Sequence, residues 1–404
     1  MVKLSSRSGV WLAGLGALVV AAAACSSGGS SSSSAAGSSP AGAGSSPAAA
    51  GSGVPAAVTA TLNKYLGVPG FTAPGPAVDV SKLRGKKVFV IPIEETPFTQ
   101  AVEAGERAAA KAAGVQLTFY PNQGEVSQWV QGMQTAIAQK PALIILDTSP
   151  DPRQLQPQIA AAKAAGIPVL VTHFYDATSP QPPACAGCAA GVTAIVKAPI
   201  SVAGGAEADW IIADSGAKAD VLIVSLNGLL PVPGMVAAAQ GQFKQYCPGC
   251  KVTTVAINLS QLGTAGAFGQ VSSALVQDPG INYVDPLFDA SIPGTLASIE
   301  ASGKSSSIKM VSFNGSSFAL KDVASGSSPV AADVAEPDTW VGYANMDQAF
   351  RVMAGMPAVD ETTPIRIFDS ANIAQAGGPP DYSGGYGSAY ITGFFKLWGL
   401  PSPG

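Results

Sequence analysis

The chain has 404 residues, of which only 12% are charged, with 22 basic against 26 acidic side chains and a formal net charge of −4. No run of five or more basic residues occurs, which excludes an electrostatic nucleic-acid binder. Beyond the N-terminal segment no apolar stretch approaches 18 residues, so the body of the chain offers no candidate membrane span.

Lys3 and Arg7 precede a 15-residue apolar run, residues 10–24, that ends at Cys25. A run this short with a basic start reads as a secretory signal over residues 1–24. The stretch Ala22–Cys25 resembles a bacterial lipobox, in which the cysteine is diacylated and becomes the new N-terminus, although Ala22 stands where that pattern prefers Leu. An ordinary cleaved signal with an incidental cysteine is the alternative. Loss of Lys3 and Arg7 with the signal takes the net charge from −4 to −6. Residues 26–53 contain only Ser, Gly, Ala and Pro. They have no large apolar side chain to offset chain entropy, so residues 25–53 are expected to be a lipidated cysteine and a flexible tether. The two chains of a diacylglyceryl group suffice to hold such a protein at a membrane surface.

Residues 54–80 precede the first core strand as an N-terminal extension, and 57–66 reads as a helix docking on the N-lobe. Residues 86–93 are a buried apolar strand. The next segment, 96–114, carries helix signals: Thr96 as N-cap, Pro97 at the first helical position and Gly114 as terminator. Strand 115–121 follows, then helix 125–139, which places Val126, Trp129, Val130, Met133 and Ile137 on one face. Strand 142–148 leads to helix 153–166, whose first turn Pro157 weakens, and to strand 167–174. Strands 220–226, 251–257, 281–288 and 308–314 then alternate with helices that include 236–246 and 266–278. Repeated strand–helix alternation over some 330 residues implies an α/β protein with parallel sheets, divided into two lobes. Ligands of such open sheets sit at the carboxyl ends of the strands.

The segments 88–117 (VFVIPIEETPFTQAVEAGERAAAKAAGVQL), 142–150 (ALIILDTSP), 161–174 (AAKAAGIPVLVTHF) and 340–355 (WVGYANMDQAFRVMAG) together resemble type I periplasmic solute-binding proteins, of the ribose-binding kind, over roughly residues 85–375. The resemblance implies two Rossmann-like lobes joined by a three-stranded hinge. The N-lobe is expected to comprise 81–176 with 337–368, and the C-lobe 177–336 with 369–375. Residues 376–404 are left as a C-terminal extension whose aromatic side chains pack over a lobe. The resemblance also implies capture of a small molecule between the lobes, a sugar or polyol, and its delivery to the permease of an ABC importer by a monomer on the outer face of the cell membrane. A ligand sensor presenting a non-sugar solute to a signalling receptor is the alternative.

Carried over position by position, the family's pocket falls on Glu95, Thr96, Phe98, His173, Phe174, Phe288, Asp289, Asn314 and Glu336. Thr96 stands where sugar binders of the family have Asn, and Phe98 is the expected ring-stacking aromatic. His173 and Phe174 replace an Asp–Arg pair, Asn314 replaces an Asp, and Glu336 replaces a hinge Gln. The set holds acceptors and aromatic faces but no Arg, which suits a neutral polyol or a partly apolar polar ligand, admits a cation through carboxylates and rings, and disfavours a phosphate or carboxylate.

His173 is the chain's only histidine. A metal site of the usual His-rich kind therefore has no second imidazole, and no Gly-x-Ser-x-Gly elbow supplies a nucleophile for a hydrolase. No enzyme activity and no cofactor are expected, and His173 reads as a pocket wall and hydrogen-bond partner. Beyond Cys25, the cysteines form two C-x2-C pairs, Cys185/Cys188 and Cys247/Cys250. Export and an even count favour disulfides, with a four-thiolate zinc site as the alternative; three connectivities are open, and loops closed within each pair are preferred over a staple between the two turns.

Overall fold

The computed structural model describes residues 53–183, 188–259, 262–264 and 266–402. The signal, Cys25 and most of the tether lie outside the described residues, as does Cys185.

Eleven strands appear among these residues: β1 (Lys87–Pro92), β2 (Gln116–Phe119), β3 (Leu143–Asp147), β4 (Val169–Asp176), β5 (Ala194–Ala198), β6 (Asp220–Asn227), β7 (Lys251–Asn258), β8 (Tyr283–Asp285), β9 (Lys309–Asn314), β10 (Val330–Ala335) and β11 (Arg366–Asp369). The α-helices are α1 (Ala56–Leu66), α2 (Pro97–Ala113), α3 (Val126–Gln139), α4 (Gln156–Ala164), α5 (Ile200–Asp214), α6 (Val232–Tyr246), α7 (Gly269–Gln277), α8 (Ile292–Ala301), α9 (Ser317–Ser325), α10 (Asp338–Met353) and α11 (Ala389–Leu397). One sheet has the order β2-β1-β3-β4-β5 with every pairing parallel. The other has the order β11-β10-β9-β8-β6-β7, parallel throughout except for β11. Buried on both faces by helices, the central strands are runs of Val, Ile and Leu, as parallel sheets require.

Local signals act where the sequence places them. The Thr96 hydroxyl accepts from the Thr99 amide, while the Thr99 hydroxyl accepts from the Thr96 amide, closing a capping box at the start of α2. Gly114 ends that helix in the left-handed region with φ 70°. Pro157 falls in the first turn of α4, behind a 3-10 turn over Pro152–Leu155, so it starts the helix where it was expected to weaken it.

The lobe boundaries differ from the family-based expectation in two places. Residues 194–198 form β5 and pair with β4, so the N-lobe sheet extends past 177. Its Lys197 interrupts an apolar run and hides the strand in the sequence. Residues 366–369 pair antiparallel with β10, which puts them in the C-lobe sheet. The chain accordingly crosses between lobes after β5, after β10 and between α10 and β11. Asp176 braces the junction: its carboxylate accepts from the Ser201 amide at 2.7 Å and the Ser201 hydroxyl at 2.8 Å, at the start of α5.

The central helix of the N-lobe, α10, is buried over nearly its whole length and lies against α2. The two backbones approach closely at a pair of glycines. A Cβ on Gly105 would stand 2.1 Å from the Thr339 carbonyl oxygen, and one on Gly342 would stand 2.1 Å from that of Val102. Below this crossing, the Asn345 amide donates to Glu106 Oε1 at 3.0 Å and to Asp147 Oδ1 at 2.9 Å, and Thr172 also donates to Asp147 at 2.8 Å. Burial raises both carboxyls, with repulsion from Asp147 adding to it at Glu106 and repulsion from Glu103 adding to it at Asp147, which reaches about 7. Protonated acids of this kind can sit in a core beside an amide without a cation.

Both chain ends correct the expectation. The helix α1 docks on the C-lobe, not the N-lobe: Val58 and Leu62 join the core around β6, β8 and β9. Arg366 and Asn372 donate to the Leu66 carbonyl and hold its end there. The chain then crosses to the N-lobe, where Phe71 packs on Trp340 and Phe394, and the Pro76 carbonyl accepts from buried Arg351. The C-terminal segment spans both lobes too, where packing on one lobe was expected. Tyr386 sits in the C-lobe core edge-on to Phe368, while Tyr390, Phe394 and Trp398 complete the N-lobe core.

Candidate functional site

The carboxyl ends of both sheets face one cleft of about 740 Å³. Strand-end loops and the first turns of α2, α5, α6 and α9 line it, as open α/β sheets dictate. Among the described residues, seven non-glycine residues have positive φ, and five of them stand at these strand ends: Thr148 (54°), Ser149 (83°), His173 (58°), Leu287 (60°) and Asn314 (142°). Backbone held this far from the usual basins is characteristic of binding loops positioned by a rigid scaffold.

Seven of the nine residues carried over from the family line this cleft: Thr96, Phe98, His173, Phe174, Phe288, Asp289 and Asn314. Two are placed otherwise. Glu95 is exposed and outside the lining, and its neighbour Glu94 faces the cleft instead. Glu336 is fully buried behind His173, and it acts on the cleft only through the imidazole.

The His173–Glu336 pair is the electrostatic centre of the hinge. Nε2 of His173 lies 2.9 Å from Oε1 and 3.2 Å from Oε2 of Glu336, with the Thr363 hydroxyl 3.4 Å from Oε2. These contacts join the end of β4 to two of the three crossovers. Burial alone would lower the imidazole's pKa, but the charge and hydrogen bond of Glu336, with Asp147 further off, hold it above its ordinary value. Phe98 meets the ring edge-on with centroids 5.4 Å apart.

On the facing lobe, Asp289 accepts from the Ser312 hydroxyl at 2.6 Å and from the Ser316 amide at 2.7 Å. Asp333 lies beneath it, 3.2 Å from the same Ser312 hydroxyl. Burial and the neighbouring Asp289 push the Asp333 carboxyl well above the usual range.

Sequence reasoning missed much of the apolar lining. Trp129 reaches the cleft from α3, with its Nε1 donating to the Ile93 carbonyl at 2.9 Å. Leu229, Pro231, Leu259 and Leu262 come from the loops after β6 and β7, and Phe318 from the first turn of α9. Tyr382 enters from the C-terminal segment, whose aromatics were expected only to pack over a lobe. Leu230 packs against the N-lobe cluster around Trp129 and Phe174, so the lobes touch at the lip opposite the hinge. The leucines in the loops after β6 and β7 were the available signal, because large apolar side chains in a strand-end loop are out of place unless something covers them.

The cysteines do not assemble into one site. The Sγ atoms of Cys247 and Cys250 stand 1.98 Å apart, in the turn between α6 and β7, and both residues belong to the C-lobe core. Cys188 packs instead against the N-lobe cluster around Trp129 and Phe174. Its expected partner, Cys185, lies outside the described residues, so the pairing foreseen for Cys185 and Cys188 is not seen directly. The four-thiolate zinc alternative is thereby corrected. Such a site needs every sulfur about 2.3 Å from one ion, whereas Cys188 and the Cys247/Cys250 pair sit in different cores. No group of three or more His, Cys, Asp or Glu suited to a metal ion is present among the described residues. Among the same residues no helix is long and apolar enough to cross a membrane.

This geometry matches known proteins. An ABC sugar transporter subunit from Rhodobacter sphaeroides is similar over 72% of this chain and 100% of its own, at 20% identity and a TM-score of 0.59. A solute-binding protein of an ABC transporter from Agrobacterium vitis, bound with alpha-D-tagatopyranose, covers 74% of this chain and 99% of its own at 19% identity and a TM-score of 0.62. A 5-methylthioribose transporter solute-binding protein from Thermotoga lettingae covers 80% and 96% at 18% identity and a TM-score of 0.60. No curated protein matches significantly. At these identities the structures share the fold. The family model described as a periplasmic binding protein domain matches residues 87–357, about two thirds of the chain. With two parallel-sheet lobes closing on a strained, strand-end cleft, the chain belongs to the type I periplasmic binding proteins, a family of extracytoplasmic solute receptors.

Proposed function

We propose that this protein is a lipid-anchored receptor that captures a small neutral solute, a sugar or polyol, in the interlobe cleft and hands it to an ABC importer. The observation that carries the reading is the cleft itself: seven of the nine residues aligned with the family's pocket converge on it, and no Lys or Arg lines it among the described residues. A cleft without Lys or Arg favours a neutral ligand over a phosphate or carboxylate. Structural neighbours are bound with alpha-D-tagatopyranose, allitol and 5-methylthioribose, which are neutral, hydroxylated molecules.

In this reading Phe98 and Trp129 offer ring faces, and Asn314, held at φ 142°, presents its amide. His173 hydrogen-bonds the solute from a position fixed by Glu336. Cys25 carries the acyl anchor, and residues 26–53 give the body reach from the membrane. Cys247–Cys250 is an oxidised pair that suits an exported protein, and Cys188 is disulfide-bonded as well.

The test is thermal unfolding of the purified chain with pentoses, hexoses, polyols and their substituted derivatives. A ligand at 100 times its Kd stabilises by about 2.7 kcal/mol. Saturable stabilisation by a neutral hydroxylated compound supports the reading. Stabilisation confined to phosphorylated or carboxylated compounds refutes it.

A further inference from the structure

The polar groups of the cleft are mostly engaged with one another. The Thr96 hydroxyl caps α2, the Thr148 hydroxyl donates to the Asp147 carbonyl at 2.7 Å, and the Ser149 hydroxyl donates to the His173 carbonyl at 2.6 Å. Asp289 accepts on both oxygens from Ser312 and Ser316, and the Ser316 hydroxyl accepts from the Ala319 amide. The indole N–H of Trp129 is bonded to Ile93. This leaves the Asn314 and Gln123 amides, the Glu94 carboxylate, the Tyr382 hydroxyl and the outer edge of His173 as the side-chain groups open to a solute, and Glu94 and Gln123 are at the exposed rim. A free hexose carries a hydroxyl on nearly every carbon. Buried here, several would lack partners, at a cost of roughly 1–3 kcal/mol each.

The apolar side is over-provided by comparison. Of the four large hydrophobic side chains exposed among the described residues, Leu259 (39%) and Phe318 (44%) both line this cleft. With Leu229, Pro231 and Leu262 they form a greasy wall on the C-lobe, facing Phe174 and Trp129 on the N-lobe. A volume of about 740 Å³ also lies in the range that holds drug-sized ligands, roughly 300–1,000 Å³.

We infer that the solute carries a substantial apolar portion: it is a sugar or polyol bearing an aryl or alkyl substituent, its few hydroxyls directed at Asn314 and His173 and its substituent against the Leu229–Leu259–Phe318 wall. This rests on capture in the cleft and names the class captured there.

Calorimetric titration of the purified full chain with a panel of free pentoses and hexoses, and with the phenyl and butyl glycosides of each, tests it. The substituted member of at least one pair is expected to bind about tenfold or more tighter than its free sugar, since each added methylene in an apolar pocket is worth about 10-fold or more. The double variant Leu259→Ala with Phe318→Ala is expected to lose about tenfold in affinity for that glycoside while its unfolding temperature stays unchanged, because both side chains are exposed. A free sugar that binds as tightly as its glycosides overturns the inference and leaves solute capture intact. Full affinity for the glycoside in the double variant also overturns it. A phenylalkylamine that outbinds every neutral glycoside overturns the assignment to a sugar. If no compound of the panel binds, capture of sugars in this cleft fails together with the inference.

Discussion

Replacing Glu336 by Gln removes a charge but little volume, and its effect can be worked from the hinge geometry. In the native protein Glu336 is fully buried and both its oxygens lie within 3.2 Å of His173 Nε2. Removing one partner of a buried ion pair costs about 3–5 kcal/mol when the other must stay charged. An imidazole can instead release its proton, so the loss has a ceiling set by pH. Each unit by which Glu336 holds the His173 pKa above the working pH is worth about 1.4 kcal/mol. The sign follows from the raised folded pKa. The stabilisation is fully present below the unfolded value near 6.5, and it is lost as pH rises through the folded value. Glu336→Gln should therefore destabilise the protein by about 3 kcal/mol or more at pH 5.5 and by about 1 kcal/mol or less at pH 9. Because His173 is the only histidine, one imidazole proton resonance in an untagged protein reports its titration directly. The midpoint should lie above 6.5 in the native protein and below it in the variant. Coincident titration curves, or a destabilisation that grows towards alkaline pH, would refute the reasoning.

Gly342→Ala should lower the urea midpoint, because the added methyl carbon would stand 2.1 Å from the Val102 carbonyl oxygen and 2.9 Å from Gly105 Cα. Parting α2 from α10 costs about 1–3 kcal/mol, which exceeds the propensity gain of alanine over glycine. Trp398→Ala should cost about 3–5 kcal/mol in chemical unfolding, since it empties a fully buried site and strips Asp347 of the 2.7 Å indole hydrogen bond. Stability as a whole should fall between about pH 5 and pH 9. Burial drives Glu207, Asp338 and Glu361 well above the usual carboxylate range and Asp285 to about 7, so the folded chain binds more protons than the unfolded one. A melting temperature that rises over that interval would show these acids to be ionised and paired.

The strand–helix rhythm was legible because each unit repeats the same local chemistry. The Thr96–Pro97 start and Gly114 stop of α2 act through neighbouring backbone, and no distant residue is needed to see them. Seven pocket positions were legible for a related reason: strand ends are fixed by the sheet, so alignment along the chain carries residues to the same place in space. Glu95 and Glu336 failed because a side chain's direction depends on what surrounds it. Glu95 is exposed outside the lining, and Glu336 is fully buried against the imidazole of His173. β5 and β11 were hidden because Lys197 and Arg366 break their apolar runs. Their partners are far away in sequence: Asp360 at 2.5 Å for Lys197, and the Leu66 and Gly385 carbonyls for Arg366. The docking site of α1 depends on contacts 300 residues apart, such as Arg366 with the Leu66 carbonyl, which no local pattern encodes.

The chain ends have a mechanical consequence. A receptor of this fold swings on three crossovers, all on one side of the cleft. This protein adds two more ties between the same bodies: residues 67–78, pinned at Leu66 to the C-lobe and at Pro76 and Val78 to the N-lobe, and the stretch between Tyr386 and Tyr390. The first contains Pro69, Pro74 and Pro76 and yields little length when pulled. The second has only three residues, Gly387, Ser388 and Ala389, between two buried rings. Swinging open therefore ends where these tethers draw taut, so the range of aperture is written into the termini, and trimming either one would widen the gape without touching a residue that meets the solute.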